Sequence, residues 1–270
     1  MTRYNLANKG VTMLLDGQIA VVTGSAVGIG RGIALALAEE GADVACIDID
    51  SHNNNETVNM INELGRKGLS IDCDVADKAQ VRNAMNQTIS HFGQINILVN
   101  NAAIYIDTSL TLGNYMGQAE AYERSIAICA LGSYYCALAA SPEIVKAGGG
   151  NIINIITEHI KPDHLMTGMG ATGYDSAKWV QWRQTESWAV ELKESGVRVN
   201  ALCPGATVSP MLEQHAAIVL DKAMQPADVA LAAINILKHG PDGPTGQSYL
   251  IGPSGSQTGA ADAAALAPDS

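Results

Sequence analysis

Basic residues are scarce in this chain. Lysine and arginine number 16 against 27 aspartates and glutamates, a formal charge of −11 over 270 residues. A surface of that sign repels phosphate backbones, which argues against non-specific nucleic-acid binding. Cysteines are few and scattered. Cys46, Cys73, Cys129, Cys136 and Cys203 form no C-x-x-C pair, and no Cys/His spacing suits a zinc site, so no metal is expected. An odd count lying mostly in apolar runs reads as reduced, buried thiols, and hence as a cytoplasmic protein. No continuous apolar run approaches the length of a membrane span, and no membrane association is expected. The first residues offer one brief apolar patch, Val11–Leu15, and no signal-peptide pattern. Internal repeats and linkers are missing too. Residues 1–270 are therefore expected to form one domain, with 1–16 as an irregular N-terminal extension and 255–270 as a poorly ordered tail.

What the chain does have is a glycine-punctuated turn near its start. Ile19–Val22 is a short apolar run, Thr23 and Gly24 end it, and Gly28 and Gly30 open an Ala/Leu-rich segment, Arg31–Glu40, with helical spacing. Strand, glycine turn and helix together make an anion site: free N–H groups and the helix dipole point into the turn. Glycines let a pyrophosphate approach the backbone and let helix and strand pack closely. The spacing, Gly24-x3-Gly28-x-Gly30, is not the usual G-x-G-x-x-G, and a tight turn alone would explain it. Context favours the ligand. A second apolar run, Val44–Ile47, ends at Asp48, close to the roughly 20-residue offset at which an acid meets adenosine ribose hydroxyls.

The pattern then repeats. His52–Lys67 and Asp77–Phe92 read as helices, the second with Asp77 as N-cap, and Leu69–Cys73 and Ile95–Val99 as strands. A long helical segment of small residues follows over Tyr115–Ala147. Asn151–Ile156 is a fifth strand, Glu158–Gly173 a loop, Tyr174–Glu194 a helix and Val197–Leu202 a sixth strand. Another helix starts at Pro226, and Ser248–Ile251 is a last strand. Alternating strands and helices predict an α/β fold: a doubly wound parallel sheet of about seven strands covered on both faces.

Six motifs in this order carry a resemblance. They are Thr23-Gly24-x3-Gly28-x-Gly30, Asp74-Val75, Asn100-Asn101-Ala102-Ala103, Tyr174-x3-Lys178, Pro204-Gly205 and Thr245-Gly246-Gln247. Over roughly Leu15–Gly252 the chain resembles the short-chain dehydrogenase/reductase family, in its compact single-domain branch. The resemblance implies an oxidoreductase that interconverts a secondary alcohol and a ketone by hydride transfer to or from a nicotinamide cofactor. It also implies a homo-oligomer, dimer or tetramer.

Tyr174 and Lys178 are four apart at a helix start and share a face. A free tyrosine titrates near 10 and is a poor base at neutral pH, but an ammonium beside it favours the phenolate. By resemblance Tyr174 is the acid/base, Lys178 also holds the nicotinamide ribose, and Thr157 takes the hydroxyl position that binds the substrate oxygen. Asp48 would accept the ribose hydroxyls and repel a 2′-phosphate. Val27 and Ile49 beside it are apolar, so NAD is expected over NADP. Ser25 and Ile29 belong to the glycine turn. Asp74 and Val75 should flank the adenine, Asn100 should brace the strand and the cofactor, and Asn101 and Ala102 should lie near the cofactor. Pro204, Gly205, Thr207 and Ser209 should follow its nicotinamide and pyrophosphate. His159 and Met211 are placed at the substrate side, with Lys161, His164, Met166 and Met169 in the same loop as His159. Those residues suit either an acidic substrate or an apolar one.

One departure stands out. The family's helical asparagine, which helps hold a proton-relaying water, is replaced by Cys129, and a thiol is a poor substitute for an amide. The sequence thus leaves open an active dehydrogenase or an NAD-binding protein with weak or no activity.

Overall fold

The computed structural model describes residues 13–111, 113–160, 170–214 and 223–259. Lys161, His164, Met166 and Met169 lie outside them, as do most of the N-terminal extension and the end of the tail. Seven strands form a parallel sheet: β1 (Ile19–Thr23), β2 (Asp43–Asp48), β3 (Gly68–Asp72), β4 (Ile97–Asn100), β5 (Gly150–Ile155), β6 (Val197–Pro204) and β7 (Ser248–Ile251). An eighth, β8 (Gln257–Gly259), pairs antiparallel with β7, with Ile251 opposite Gln257. The chain turns back through Pro253–Gly255 to add this edge strand, within the stretch expected from the sequence to be a poorly ordered tail. The sheet order is β3-β2-β1-β4-β5-β6-β7-β8.

The helices are α1 (Gly28–Glu39), α2 (Ser51–Glu63), α3 (Lys78–Phe92), α4 (Tyr115–Ser125), α5 (Gly132–Lys146), α6 (Thr172–Glu191), the short α7 (Pro210–Glu213) and α8 (Pro226–Leu237). Asp77 caps α3, accepting from Ala79 N at 2.8 Å. Helix α1 begins at Gly28, three residues before the periodic apolar stretch, because glycines carry its first turn. Helix α6 stops at Glu191, and Lys193–Ser195 tighten into a 3₁₀ turn that Gly196 ends at positive φ.

The central strands are buried on both faces, and their side chains alternate between two cores. Ala20 and Val22 of β1 join Ile33 and Leu37 of α1 and Val229 and Ala233 of α8. Val21 joins Val81 and Met85 of α3, Cys129, Ile144 of α5 and Ala177 of α6. All five cysteines are buried, and none is in a disulfide. Burial pushes the Cys46 thiol up to about 12 and that of Cys73 to about 11, so both stay protonated.

The long helical segment expected over Tyr115–Ala147 is one continuous run with a fault in it. Ile126–Leu131 between α4 and α5 is a π-helical segment. By length and composition the run Tyr115–Lys146 could cross a membrane, which the sequence reading had not anticipated, but half of its apolar window is buried inside the protein. Its residues Ile128, Cys136, Ala140 and Ile144 form core.

Candidate active site

Strand order reverses at β1, whose neighbours are β2 and β4. A crevice opens at the carboxyl ends of strands flanking such a reversal. Here it is a cavity of about 730 Å³.

Gly24 leaves β1 at φ +65°, a region that favours glycine, and its N–H donates to Ile47 O at 2.8 Å. A Cβ at Gly24 would lie 2.8 Å from both Ala102 Cα and Asn101 Nδ2. At Gly28, φ +58°, it would press on Ser209 Cβ at 3.1 Å. Val27, the N-cap of α1, is extended and makes no side-chain cap, so the first N–H groups of α1 lack a capping acceptor at the cavity wall formed by Val27, Gly28 and Ile29.

Of the residues anticipated for the cofactor, the cavity brings together Gly24, Val27, Gly28, Ile29, Asp48, Ile49, Asp74, Val75, Asn101, Ala102, Pro204, Gly205, Thr207 and Ser209. Ser25 and Gly30 are not on it. The Ser25 hydroxyl turns inward, to Asn54 Oδ1 at 2.8 Å and Ile47 O at 3.3 Å. Gly30 packs against the turn itself, where a Cβ would overlap the Gly24 carbonyl. Asn100 links β4 to β5, donating to Asn154 Oδ1 at 2.9 Å, and does not line the cavity.

Asp48 is tied into the loop. Its carboxylate accepts from Ala26 N and from Asp50 N, each at 2.9 Å. Several supporting residues escaped the sequence reading. Thr23 Oγ1 accepts from Asn101 N and Ala102 N at 3.0 and 3.1 Å, locking the end of β1 to the end of β4. Asn54, fully buried on α2, donates to Cys46 O and to Ser70 Oγ. Arg31 donates to Thr57 Oγ1 and Asn53 O at 2.9 Å each, which turns its guanidinium toward α2. Arg124 pairs with Asp74 at 2.9 Å on the cavity wall. No local motif marks Asn54, Arg31 or Arg124, and the Thr23 motif does not reveal the bonds Thr23 makes to the end of β4.

At the other end of the cavity stand Thr157, His159, Tyr174, Lys178 and Met211. Thr157 follows β5, and Tyr174 and Lys178 occupy the first turns of α6. Gly173 seats that helix start, donating its N–H to Thr108 Oγ1 at 2.8 Å and packing on Ser125. The Lys178 ammonium lies 5.5 Å from the centre of the Tyr174 ring. Burial pushes the Tyr174 phenol well above the ordinary tyrosine range. The neighbouring Cys129 and Asp175 add to this, and a hydrogen bond with Thr157 opposes it. Burial moves Lys178 the other way, below its ordinary value. His159 Nδ1 is 2.6 Å from Asp175 Oδ1.

Cys129 sits inside the π-helical segment, fully buried, with its thiol directed at Ile104 O, 3.7 Å away. Burial raises its pKa against the pull of Lys178, so the sulfur is a protonated donor and not a nucleophile. The irregular turn is braced from α5 and α6. Ala130 O accepts from Ser133 Oγ at 2.9 Å and from Gln184 Nε2 at 3.2 Å.

Comparison with known proteins agrees with this geometry. Residues 18–218 match the sequence profile of the short chain dehydrogenases. The chain is similar to the (2S)-[(R)-hydroxy(phenyl)methyl]succinyl-CoA dehydrogenase subunit BbsD of Thauera aromatica, 33% identical over 202 residues, which cover 75% of this chain and 78% of that protein. It is 27% identical over 253 residues to the 7alpha-hydroxysteroid dehydrogenase of Escherichia coli K12, covering 90% of this chain and 96% of that one. Among solved structures, a short-chain type dehydrogenase/reductase from Mycobacterium marinum aligns with a TM-score of 0.81 at 28% identity, over 90% of this chain and 97% of the other. A family profile spanning most of the chain, laid over a sheet of this order, makes the protein a member of the short-chain dehydrogenase/reductase family of oxidoreductases.

Proposed function

We propose that the protein is an NAD-dependent oxidoreductase interconverting a secondary alcohol and a ketone. Tyr174 is the acid/base, Lys178 lowers its pKa, and Thr157 holds the substrate oxygen. The observation that carries this reading is the convergence of those three side chains at one end of a cavity whose other end holds Asp48. The uncapped start of α1, with Gly24 and Gly28 leaving room where a Cβ would collide, suits a dinucleotide pyrophosphate. When bound, the nicotinamide supplies the hydride acceptor or donor and, oxidised, one positive charge.

The chain's own residues supply the proton. In the free protein the half-buried Tyr174 keeps its phenol protonated, the form that donates during ketone reduction. Alcohol oxidation needs the phenolate, which the Lys178 ammonium and the Thr157 hydrogen bond favour. Oxidation therefore rises with pH while reduction falls.

NAD is favoured over NADP by charge. The carboxylate of Asp48 is flanked by apolar Val27 and Ile49, while Arg31 and Arg124 are engaged by α2 and Asp74. Asp48→Ala is expected to lose about ten- to a hundred-fold in kcat/KM with NAD, the scale of one charge-assisted hydrogen bond, and to gain activity with NADP. Parallel assays with both cofactors, following the reduced nicotinamide over a panel of secondary alcohols, test this. A preference for NADP in the unmodified protein would overturn the assignment.

Ile104, Ile106, Ile156, Met211 and Leu212 on the cavity wall support an apolar substrate. The imidazole of His159 is already matched by Asp175, and Glu158 also lines the cavity, so a carboxylate substrate would find little net positive charge among the described residues of that loop. The NAD-binder alternative rests on Cys129. Against it, the π-helical segment is formed and its thiol has an acceptor in Ile104 O.

We also take the protein to act as a single-domain, cytoplasmic homo-oligomer, dimer or tetramer. Helices α5 and α6 meet through Tyr134 and Trp188 and carry exposed apolar side chains, among them Leu138 at 60% and Val190 at 80% exposure. Leu138→Glu combined with Val190→Glu is expected to shift the mass measured by light scattering toward that of one chain.

A further inference from the structure

The Lys178 ammonium is 1% exposed, and the ion pairs among the described residues do not include it. Its Nζ donates to two neutral acceptors instead, Ile155 O at 2.7 Å and Gln181 Oε1 at 2.8 Å. Gln181 lies three residues further along α6, on the same face, and is itself 1% exposed. A long amide in a core is costly unless its polar atoms are hydrogen-bonded, so packing alone does not account for it. Its other neighbours on this helix continue a polar seam: Thr185 Oγ1 donates to Gln181 O, and Asn154 Nδ2 donates to Thr185 Oγ1.

The type of acceptor matters. An ammonium has three donors, and two are fixed by these carbonyls. A carboxylate at position 181 would hold the lysine equally well but would cancel its field. An amide carbonyl stabilises the charge by its dipole and leaves the net charge whole, directed at the tyrosine ring 5.5 Å away. The π-helical segment opposite cannot supply such an acceptor, because its side chain there is the Cys129 thiol, engaged with Ile104 O.

We propose that Gln181 is a positioning residue for the Tyr174–Lys178 pair: its side-chain carbonyl fixes the buried ammonium and keeps it charged without neutralising it. This rests on the reading of Tyr174 as the acid/base. It assigns a role to a residue that no motif marks.

The experiment compares Gln181→Met, which keeps the length and removes the acceptor, with Gln181→Glu, which keeps the acceptor and adds a charge. The first readout is the titration of Lys178 itself, from its Cε resonance in lysine-labelled protein, assigned with Lys178→Arg. Gln181→Met is expected to lower the Lys178 midpoint by about one pH unit, a ten-fold change in the ratio of charged to neutral amine. Gln181→Glu is expected to raise it. The second readout is the pH profile of alcohol oxidation. Both variants should move its acid limb toward alkaline pH and reduce kcat about ten-fold at neutral pH, with KM for the alcohol within two-fold of the unmodified protein. A merely structural glutamine would not move two midpoints in opposite directions. A Lys178 titration in Gln181→Met that superposes on the unmodified protein overturns the proposal. So does a shifted lysine with an unmoved acid limb. If Gln181→Met fails to fold, the upward shift in Gln181→Glu still decides. Failure of the acid/base assignment is read separately, as undiminished turnover in Tyr174→Phe.

Discussion

Tyr174→Phe is expected to lower alcohol oxidation by at least about 10³-fold while leaving the protein folded and able to bind dinucleotide. General acid–base catalysis by one positioned group is worth roughly 10² to 10⁴. Among the described groups around it, Thr157 is not basic, Lys178 is committed to Ile155 O and Gln181, and the His159 imidazole, its ring centre 6.0 Å away, is paired with Asp175. The ring would keep its packing against Tyr105, whose centre lies 5.5 Å away, and only the hydroxyl would be lost. Steady-state rates with the best alcohol, together with calorimetric titration of NAD, check this. Retained binding with lost turnover is the expected pair of results. Turnover within ten-fold of the unmodified protein would remove Tyr174 from the chemistry.

Gly30→Ala is expected to be strongly damaging. Gly30 does not touch the cavity, yet its added Cβ would overlap the carbonyl oxygen of Gly24 and lie 2.5 Å from Asn101 Nδ2. Neither neighbour can give way cheaply. Asn101 Nδ2 donates to Thr23 O at 3.0 Å and to Gly24 O at 2.9 Å, and these bonds hold the ends of β1 and β4 together. Overpacking of this kind costs about 3 kcal/mol. It would also displace the anion cradle, with at least ten-fold weaker NAD binding. Gly65→Ala is the control. Gly65 has φ +80° with nothing within 4 Å of the added methyl, so only backbone strain of about 1 kcal/mol is expected there. Denaturant midpoints of the two variants measure the difference. Equal midpoints would show that the α1–β1 contact tolerates a side chain.

The fold was legible because its strands are buried on both faces. Runs such as Ile19–Val22 and Val44–Ile47 announce themselves by continuous apolar character, and Ser248–Ile251 was delimited to the residue. The site was legible where a motif is local. Tyr174 and Lys178 are one helical turn apart, and Gly24, Gly28 and Asp48 belong to one strand–helix–strand unit. What the sequence hid was long-range. Asn54 reaches back to Ser25, Thr23 forward to Ala102, and Arg124 across to Asp74. Nor does any periodicity reveal that Ser25 turns its hydroxyl inward, or that β8 returns to the sheet edge. These follow from how elements dock.

The π-helical segment Ile126–Leu131 has a geometric consequence for the whole length of that helix. An α-helix advances about 100° per residue, and a π turn inserts one extra residue without adding a turn. Faces on either side of Cys129 are thus dephased by roughly a quarter of a revolution. Before the offset the rod leans on α6. Beyond it the same rod leans on α3 and the sheet strands β4 and β5. One continuous element thereby serves two sets of neighbours whose directions a regular helix could not match. Deleting any one residue of the segment would bring the two halves into phase and force one of them to rotate its buried stripe out of the core.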